Sequence, residues 1–340
     1  MKILFIKLGA IGDVVQAAAA VKEFRRRNPN AQVDWVAGSG VKALIEMLGV
    51  ADSVIGVEDA QFLVGSFYRR LVAFAQSIWL LANRGQYDMV VTAHSDYRYR
   101  LLSLGVRART RVGFTPRSFR PIPISDRNRV QEYWRLLTGG DAEAIDIPQM
   151  MLSLGKCLDN CPAAGVIPKL PARYIVLAAG GAKNLLRDDA LRRWPIEMYR
   201  ALADRLILDG RQVVLVGGEG DRWVSKSFSG LPVIDLIGKT TIGALLKITG
   251  GATVVVTNDS GILHLAAITR TAIVALFGPT PANAVIPYGR EKTIVLEERN
   301  RVSCSPCYDG RNYAPCARPI CLESIPVQRV LDSVKRFISV

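Results

Sequence analysis

The chain has few histidines, fewer acidic than basic residues and no long apolar run. Its 340 residues include 2 histidines, and 44 lysines and arginines against 30 acidic residues give a net charge of +14. No apolar run reaches the roughly 20 residues that a membrane-spanning helix needs. The longest, 71–82, is flanked by arginines and is predicted to be a buried helix, or alternatively an interfacial one. Because MKILFIKLG enters a strand pattern without a signal-peptide cleavage region, we expect a cytoplasmic protein.

The positive charge is concentrated in one stretch and carried by arginine. Between residues 98 and 135 only Asp126 and Glu132 are acidic. The arginines of that stretch are Arg98, Arg100, Arg107, Arg109, Arg111, Arg117, Arg120, Arg127, Arg129 and Arg135. Arginine binds phosphate and carboxylate in bidentate geometry, which indicates an anionic partner, with a solvated basic surface as the alternative. The chain has no aromatic-interleaved RNA motif, helix-turn-helix pattern or basic tail, so we expect no nucleic acid partner.

Short β-branched runs alternate with helical patterns, and this alternation occurs twice. The predicted strands are 2–7, 32–37, 53–57, 87–92 and 110–114 in the first half, then 173–178, 212–217, 232–237, 253–258, 272–277 and 293–297. This order predicts an α/β fold with two doubly wound parallel sheets, separated by the proline- and glycine-rich stretch 157–173. Ligands bind such sheets at the carboxyl ends of the strands, so the cleft between the two domains is the expected site.

The segment VVVTNDSGILHLAA, residues 254–267, predicts a buried strand followed by an anion site. Ser260 and Gly261 would offer backbone N–H groups at a helix N-terminus. Asp259 could accept hydrogen bonds from sugar hydroxyls, and His264 falls in the first turn of the same helix. The alternative is an ordinary helix cap beside a buried, hydrogen-bonded histidine.

Two other predicted strand ends in the second half carry groups that suit a diphosphate. After 173–178, a glycine loop leads to Lys183 and then to Arg192 and Arg193, although no Gly-Lys-Ser/Thr of a P-loop occurs there. After 272–277, a Gly-Pro-Thr-Pro loop places Thr280 beside the Asp259 loop. Turn chemistry alone also explains the glycine and prolines of that loop.

The segment KLGAIGDVV, residues 7–15, interrupts the passage from the first strand into an alanine-rich helix. Asp13 stands at the head of that helix, where it could cap the helix or act in catalysis. Gly9 and Gly12 would keep side-chain bulk away from a ligand at this position.

These segments, in their order along nearly the whole chain, resemble glycosyltransferase family 9, the ADP-heptose:lipopolysaccharide heptosyltransferases. The matching segments are KLGAIGDVV, RRWPIEMYRALADRL, VTNDSGILHLAA, ALFGPT and the final CSPC segment. The resemblance implies a GT-B fold of two Rossmann-like domains with a cleft between them. Residues 1–165 would bind the acceptor and 166–325 the nucleotide-sugar, and the helix of 326–340 would pack back on the first domain.

The resemblance also implies an inverting transfer of heptose from ADP-heptose to the inner core of lipopolysaccharide. The acceptor would be Kdo-lipid A or heptosyl-Kdo-lipid A at the cytoplasmic face of the inner membrane, with the enzyme as a peripheral protein and without a required catalytic metal. Asp13 is the expected base, and Lys7, Gly12, Arg98 and Arg120 the acceptor-binding residues. The expected donor-binding residues are Lys183, Arg193, Asp259, Ser260, Gly261, His264 and Thr280.

Three other functions stay open. The same family could use another nucleotide-sugar, or a protein or other glycan as acceptor. An NAD-type oxidoreductase is disfavoured because neither half has G-x-G-x-x-G after its first strand. The third alternative is a binding module for anions without catalysis.

Four of the six cysteines lie close together near the end of the chain. Cys304 and Cys307 have the spacing of a metal knuckle, and Cys316 and Cys321 follow. Four thiolates suffice for a tetrahedral zinc or iron, so we expect a structural metal, with reduced buried thiols as the alternative. Disulfides are not expected in the cytoplasm.

Overall fold

The computed structural model describes residues 1–338 except 65, 95, 115–126, 140–144, 157–166, 184–186, 287–289, 299–301, 303 and 309–311. These residues form two compact units. The division lies between Lys156 and Ile167, in the interval that contains the predicted boundary at 165/166. Arg120, one of the predicted acceptor-binding residues, lies outside the described residues.

The first unit is a five-stranded parallel sheet with helices between the strands. Its elements are β1 (Lys2–Ile6), α1 (Ile11–Arg27), β2 (Gln32–Gly38), α2 (Ser39–Leu48), β3 (Ser53–Val57), α3 (Asp59–Val64), α4 (Phe67–Ala82), β4 (Gln86–Thr92), α5 (Tyr97–Leu102), β5 (Arg107–Gly113), α6 (Arg129–Thr138) and α7 (Ile147–Gly155). The strand order is β3-β2-β1-β4-β5. The chain therefore changes direction between β1 and β4, which is the position where ligands bind doubly wound sheets.

The second unit is a six-stranded parallel sheet. Its elements are β6 (Ile175–Ala178), α8 (Ile196–Leu208), β7 (Val213–Leu215), α9 (Arg222–Ser227), β8 (Ile234–Asp235), α10 (Ile242–Gly251), β9 (Val254–Asn258), α11 (Gly261–Ala267), β10 (Ala272–Leu276), α12 (Ala282–Val285), β11 (Thr293–Leu296), α13 (Ile320–Glu323) and α14 (Val327–Ile338). The order β11-β10-β9-β6-β7-β8 puts the change of direction between β6 and β9. All eleven predicted strands are present, which confirms the α/β class.

The predicted buried helix 71–82 lies instead at the surface, within α4. Only Ala73, Ser77 and Leu81 of α4 are buried. These side chains recur every four residues, so they form one narrow stripe against the sheet. Apolar residues continue around the rest of the helix, beyond the stripe that the sheet covers. No described helix is long and apolar enough to cross a membrane.

The last helix packs in the second unit, whereas the resemblance implies packing on the first domain. Val330, Leu331, Val334 and Ile338 of α14 are buried in the hydrophobic core of the second unit. They join the apolar side chains of β9, β10 and α8, because α14 has one strongly apolar face that needs a sheet and helix to cover it.

We expect Leu331→Ala to destabilise the second unit by about 2–5 kcal/mol, since it removes a buried side chain and leaves a cavity. Leu208, which is 79% exposed at the end of α8, provides the matched control. Leu208→Ala is expected to change the free energy of unfolding by less than about 0.5 kcal/mol. Urea unfolding of both variants measures the difference. Equal losses would contradict the placement of α14 in the core.

Candidate active site

Ionisable side chains meet where β1 and β4 end in the first unit. Lys7 directly follows β1, His94 follows β4, and Asp13 lies in the first turn of α1. The Lys7 ammonium is 2.9 Å from Oδ2 of Asp13. The backbone N–H of Leu8 donates to Nε2 of His94 over 2.9 Å. The sheet topology therefore brings together three groups that are up to 87 residues apart in sequence.

Asp13 does not cap α1. The cap position is Ala10, and no side chain accepts a hydrogen bond there. Asp13 is instead paired with Lys7, and its side chain is 39% exposed while that of Lys7 is 4% exposed. The pair thus presents a carboxylate to solvent and holds an ammonium beneath it.

The surroundings of Asp13 favour its ionised form. Burial acts to raise the pKa of this carboxyl, but the positive charges of Lys7 and Arg129 and the hydrogen bond from Lys7 outweigh it, so the pKa lies well below its usual range. Burial lowers the pKa of Lys7 despite the attraction of Asp13. The positive end of the α1 backbone dipole acts on Asp13 in the same direction as Lys7.

Helix α6 contributes two residues that the sequence analysis did not assign to the site. Tyr133 is 1% exposed, and the Lys7 ammonium lies 5.6 Å from the centre of its ring. Burial raises the pKa of Tyr133, as do the charge of Asp13 and a hydrogen bond to it. The positive charge of Arg129 acts to lower the pKa of Asp13. No local signal marks these residues, because α6 follows in sequence more than a hundred residues after β1.

His94 is a neutral hydrogen-bond acceptor. Burial, and then the nearby ammonium of Lys7, lower its pKa well below the usual value. Because Nε2 accepts the Leu8 N–H, the neutral ring carries its proton on Nδ1. The ring stacks on Tyr99 with centroids 3.8 Å apart. The sequence did carry a signal for His94, since this polar residue comes just after β4, the strand that pairs with β1.

The other predicted acceptor residues are placed as follows. Gly12 is buried in the first turn of α1. Arg98 lies in the first turn of α5, where its guanidinium donates to both carboxylate oxygens of Asp96. The structure therefore groups Lys7, Gly12 and Asp13, while Arg98 is engaged by a neighbouring carboxylate.

In the second unit, buried polar residues lie where β6 and β9 end. Asn258 and Asp259 are 0% and 2% exposed. Nη2 of Arg192 is 2.6 Å from Oδ2 of Asp259. The amide of Asn258 accepts from the Trp194 backbone N–H and donates to the Ala179 carbonyl, which fixes the loop that carries Arg192 against β9.

The Arg192–Asp259 pair retains unused hydrogen-bonding capacity. Within the described part of the chain, Nε of Arg192, Oδ1 of Asp259 and the hydroxyls of Thr280 and Tyr313 have no hydrogen-bond partner. Burial acts to lower the pKa of Arg192, but the charges of Asp259, Tyr313 and Asp189 and the hydrogen bond to Asp259 raise it. A permanently charged guanidinium, a carboxylate and free hydroxyls form a site for a polar, anionic ligand.

The glycine loop after β6 is held by Asp221. The N–H groups of Gly181 and Gly218 donate to the two carboxylate oxygens of Asp221, over 2.8 and 2.9 Å. A Cβ at Gly180 would lie 2.4 Å from Asp221, and Gly181 has φ +82° and approaches Ser260. These close approaches explain both glycines, which therefore need no phosphate to account for them.

The predicted basic residues of this loop differ in their surroundings. Nε of Arg193 donates to the Gly181 carbonyl, Arg193 also pairs with Asp188, and its guanidinium lies 5.5 Å from the centre of the Trp223 ring. Arg193 thus holds the loop, whereas its neighbour Arg192 reaches Asp259. Lys183 is exposed at the tip of the same loop.

Ser260 does not cap α11 through its side chain. It occupies the cap position, but its hydroxyl lies 3.2 Å from that of Thr257. Gly261 begins α11, and His264 and Thr280 are 5% and 3% exposed. The structure therefore brings Asp259, Ser260 and Thr280 to one edge of the sheet, with Ser260 at the cap position of α11 but without a capping side-chain hydrogen bond.

Similarity to known proteins identifies the family of this chain. A family model described as glycosyltransferase family 9 (heptosyltransferase) matches residues 80–316, which is more than half of the chain. The chain belongs to glycosyltransferase family 9. This membership confirms the resemblance and identifies the protein as a glycosyltransferase.

Named relatives from this family are similar along most of their length. The chain is 25% identical to lipooligosaccharide heptosyltransferase 2 of Haemophilus influenzae, covering 87% of this chain and 88% of that one. It is 24% identical to lipopolysaccharide heptosyltransferase 1 of Pseudomonas aeruginosa, with 98% and 97% covered. The solved structure of Escherichia coli heptosyltransferase WaaC with ADP has a TM-score of 0.70 at 19% identity, with 100% and 99% covered. That similarity confirms the GT-B fold.

The four predicted metal ligands of this family 9 chain differ in their exposure. Cys304 and Cys316 are exposed, Cys321 is buried, and burial raises the pKa of the Cys321 thiol to about 11. Among the residues that the structure describes, no three histidine, cysteine, aspartate or glutamate side chains form a group that could hold a metal ion. Cys307 and Cys316 do lie within electrostatic range of the Cys321 thiol. A structural metal on the four cysteines therefore stays a prediction.

The segment around these cysteines lies against the strand-end loops of the second unit. The N–H groups of Cys307 and Tyr308 donate to the Pro279 carbonyl, and the Ser305 hydroxyl donates to the Gly278 carbonyl. Tyr313 stacks on Tyr308 with ring centroids 4.7 Å apart, and its charge state affects the pKa of Arg192. These contacts place the segment beside the loop that carries Thr280 and bring Tyr313 within electrostatic range of Arg192.

We expect the neutral state of His94 to make the protein less stable in acid. The folded pKa lies below the unfolded value near 6.5, so below that pH the unfolded chain binds a proton that the folded chain does not. The free energy of unfolding should therefore fall as pH falls below 6.5, by up to about 1.4 kcal/mol per pH unit from this group.

His94→Gln keeps an acceptor for Leu8 and removes this titration. Urea unfolding of both proteins between pH 7 and pH 5 isolates the effect, because all other titrating groups are common to them. The wild type should lose more stability than the variant by up to about 2 kcal/mol. An identical pH dependence of the two proteins would contradict a neutral His94.

Proposed function

We propose that this chain transfers heptose from ADP-heptose, with inversion, to the inner core of lipopolysaccharide, on Kdo-lipid A or heptosyl-Kdo-lipid A. The observation that carries the proposal is the Arg192–Asp259 cluster at the change of direction of the second sheet. It supplies charge and hydroxyl groups suited to a sugar diphosphate, and membership of family 9 supports the reaction class.

The second unit would hold the donor through complementary groups. The Arg192 guanidinium can bind a phosphate through the face that Asp259 leaves free, because its Nε has no hydrogen-bond partner among the described residues. The Thr280 hydroxyl can donate to a phosphate oxygen, and Oδ1 of Asp259 can accept from a sugar hydroxyl. Lys183, exposed on its loop, can approach a diphosphate from solvent.

These groups would stabilise ADP as it leaves. Negative charge grows on the diphosphate when the bond to the anomeric carbon breaks, and a preorganised guanidinium favours that charge. Lys183 adds a second positive charge. In this proposal the stabilisation comes from side chains, and a catalytic metal is not required.

In the first unit, Asp13 would accept the proton of the attacking hydroxyl. Its low pKa makes it a weak base towards a free alcohol, but it is ionised at every physiological pH. As the acceptor oxygen bonds to the anomeric carbon, it gains positive charge and its proton becomes strongly acidic. A weakly basic carboxylate then suffices, and it orients the hydroxyl beforehand through a hydrogen bond.

The acceptor is an anionic glycolipid in this proposal. Lys7, Gly12, Arg98 and Arg120 belong to a first half whose excess charge is positive, which favours carboxylates of Kdo and phosphates of lipid A. Since ADP-heptose and the enzyme are expected in the cytoplasm, transfer would occur at the cytoplasmic face of the inner membrane. The chain would associate with that membrane peripherally.

We expect Asp13→Asn to lower turnover about 10²–10⁴-fold while ADP-sugar still binds, because the amide accepts no proton. The measurement is ADP release with Kdo-lipid A as acceptor, together with a thermal-shift titration of ADP-heptose. Asp88→Asn is the matched control, since Asp88 accepts from the Lys2 backbone N–H at the opposite end of β1. Turnover retained in Asp13→Asn would exclude Asp13 as the base.

We expect Arg192→Met to weaken ADP-heptose binding about 10- to 100-fold, the loss of a charge-assisted hydrogen bond. Arg193→Met should weaken it less, because Arg193 already binds the Gly181 carbonyl and Asp188. Arg192→Lys keeps the charge beside Asp259 and separates lost binding from lost folding.

Thermal shifts with ADP-, UDP-, GDP- and TDP-sugars measure the donor affinity of each variant. Stabilisation by ADP-heptose in the wild type supports the proposed donor. Stabilisation by UDP-sugars alone would contradict it and would favour a family member that uses another nucleotide-sugar.

A further inference from the structure

Helix α4 exposes a continuous apolar face. Tyr68, Leu71 and Trp79 are 74%, 56% and 72% exposed, and Val72 and Ala75 are exposed between them. At 100° per residue these five side chains lie within about one third of the helix circumference. They lie opposite the buried stripe of Ala73, Ser77 and Leu81. The stability of the fold does not account for this face, because the sheet is already covered by the other side of the helix.

The composition of this α4 face is that of a membrane interface. Trp and Tyr concentrate at the boundary between lipid headgroups and acyl chains, where their rings are apolar and their N–H or O–H groups stay hydrated. Leu71 and Val72 lie between the two aromatic residues along the helix. Contiguous exposed apolar surface of this kind marks an interaction site on a soluble domain.

The charged residues at the two ends of α4 are positive. Arg69, Arg70 and Arg84 are exposed near the two ends of α4. From residue 60 to residue 114 the acidic residues are Asp88 and Asp96, against eight arginines, Arg69, Arg70, Arg84, Arg98, Arg100, Arg107, Arg109 and Arg111, while Glu58 and Asp59 stand directly before this stretch. Asp96 is paired with Arg98 and Asp88 lies 3.6 Å from Arg109, so both acids are already balanced.

We propose that the α4 face docks the protein on an anionic lipid bilayer, with Tyr68, Leu71 and Trp79 in the headgroup region and the flanking arginines on lipid phosphates. An apolar helix face with arginines at both ends binds through buried apolar area and through attraction to anionic lipids. The three exposed arginines add electrostatic attraction to the contribution of the buried apolar area.

A second copy of this chain fits the surface less well. Pairing of two α4 faces would bring two sets of arginines together, and α4 itself carries no acidic residue. Like charges in contact oppose association, whereas anionic headgroups are complementary to them. Self-association is therefore the competing outcome of the test.

The inference adds a location to the proposed function, because docking would bring the enzyme to a lipid-anchored acceptor. The two can fail separately, since vesicles without nucleotide and without glycolipid test docking alone. Vesicle binding without sugar transfer would leave the docking surface intact and reject the transferase proposal. Transfer to a de-acylated, water-soluble acceptor without vesicle binding would support the transferase proposal and reject the docking surface.

Binding is measured by co-sedimentation of the full chain with vesicles of phosphatidylcholine and phosphatidylglycerol in equal parts, and with phosphatidylcholine vesicles. We expect at least about tenfold tighter binding to the anionic vesicles at low salt, because several arginines contribute. Brominated lipids should quench the fluorescence of Trp79. Of the other four tryptophans, Trp35, Trp134 and Trp194 are buried and Trp223 is 40% exposed in the second unit. Loss of quenching in Trp79→Phe therefore assigns the contact to α4.

The decisive variant is Leu71→Glu/Trp79→Glu, which places negative charge on the exposed face. It should lower the affinity for anionic vesicles about tenfold or more and leave transfer to a de-acylated acceptor unchanged. Leu208→Glu is the matched control, since Leu208 is 79% exposed in the second unit. Its vesicle binding should equal that of the wild type.

Three results would overturn the inference. The first is equal vesicle binding by the double variant and the wild type. The second is unchanged Trp quenching in Trp79→Phe. The third is a wild type that fails to bind vesicles but dimerises in sedimentation velocity, while the double variant is monomeric, which would assign the face to a second copy. Circular dichroism and the melting temperature of the double variant verify that it is folded.

Discussion

A lysine ammonium that is removed from solvent has to be neutralised, and the Lys7–Asp13 pair meets this requirement in the first unit. Lys7 is fixed by β1, its carbonyl accepts from the buried Trp35 indole, and its ammonium lies between the Asp13 carboxylate and the Tyr133 ring. Asp13, in the first turn of α1, is the acid that neutralises it. The same pairing keeps Asp13 ionised and partly exposed, which is the state that a proton acceptor needs.

In the second unit the charge that is buried and neutralised is negative. Asp259 is 2% exposed, and the guanidinium of Arg192 neutralises it. Breaking a buried ion pair by removal of one partner is costly, because the remaining charge has no compensation. A ligand phosphate could share Arg192 without that cost, since the guanidinium has donors on more than one side. Both units thus place a neutralised pair at the point where their sheets change direction.

Helix α4 shows how far composition alone can mislead. A run of twelve mostly apolar residues indicates burial, yet the sheet covers only one stripe of it. The arginines near the run provide the physical basis for the alternative prediction, an interfacial helix. Whether a helix face is covered depends on what packs against it, and that information is distributed over distant parts of the chain.

The sequence by itself determined the α/β class, the eleven strands and the strand-end positions of Asp13, Asp259 and Thr280, because strand periodicity and turn residues are local properties. Only the tertiary structure decided which side chains meet there. It selected Arg192 over the adjacent Arg193 for the contact with Asp259, and it brought Tyr133 and Arg129 of α6 to Asp13. It also exposed the apolar face of α4. Such choices depend on backbone direction and on packing between residues far apart in sequence, which no local pattern encodes.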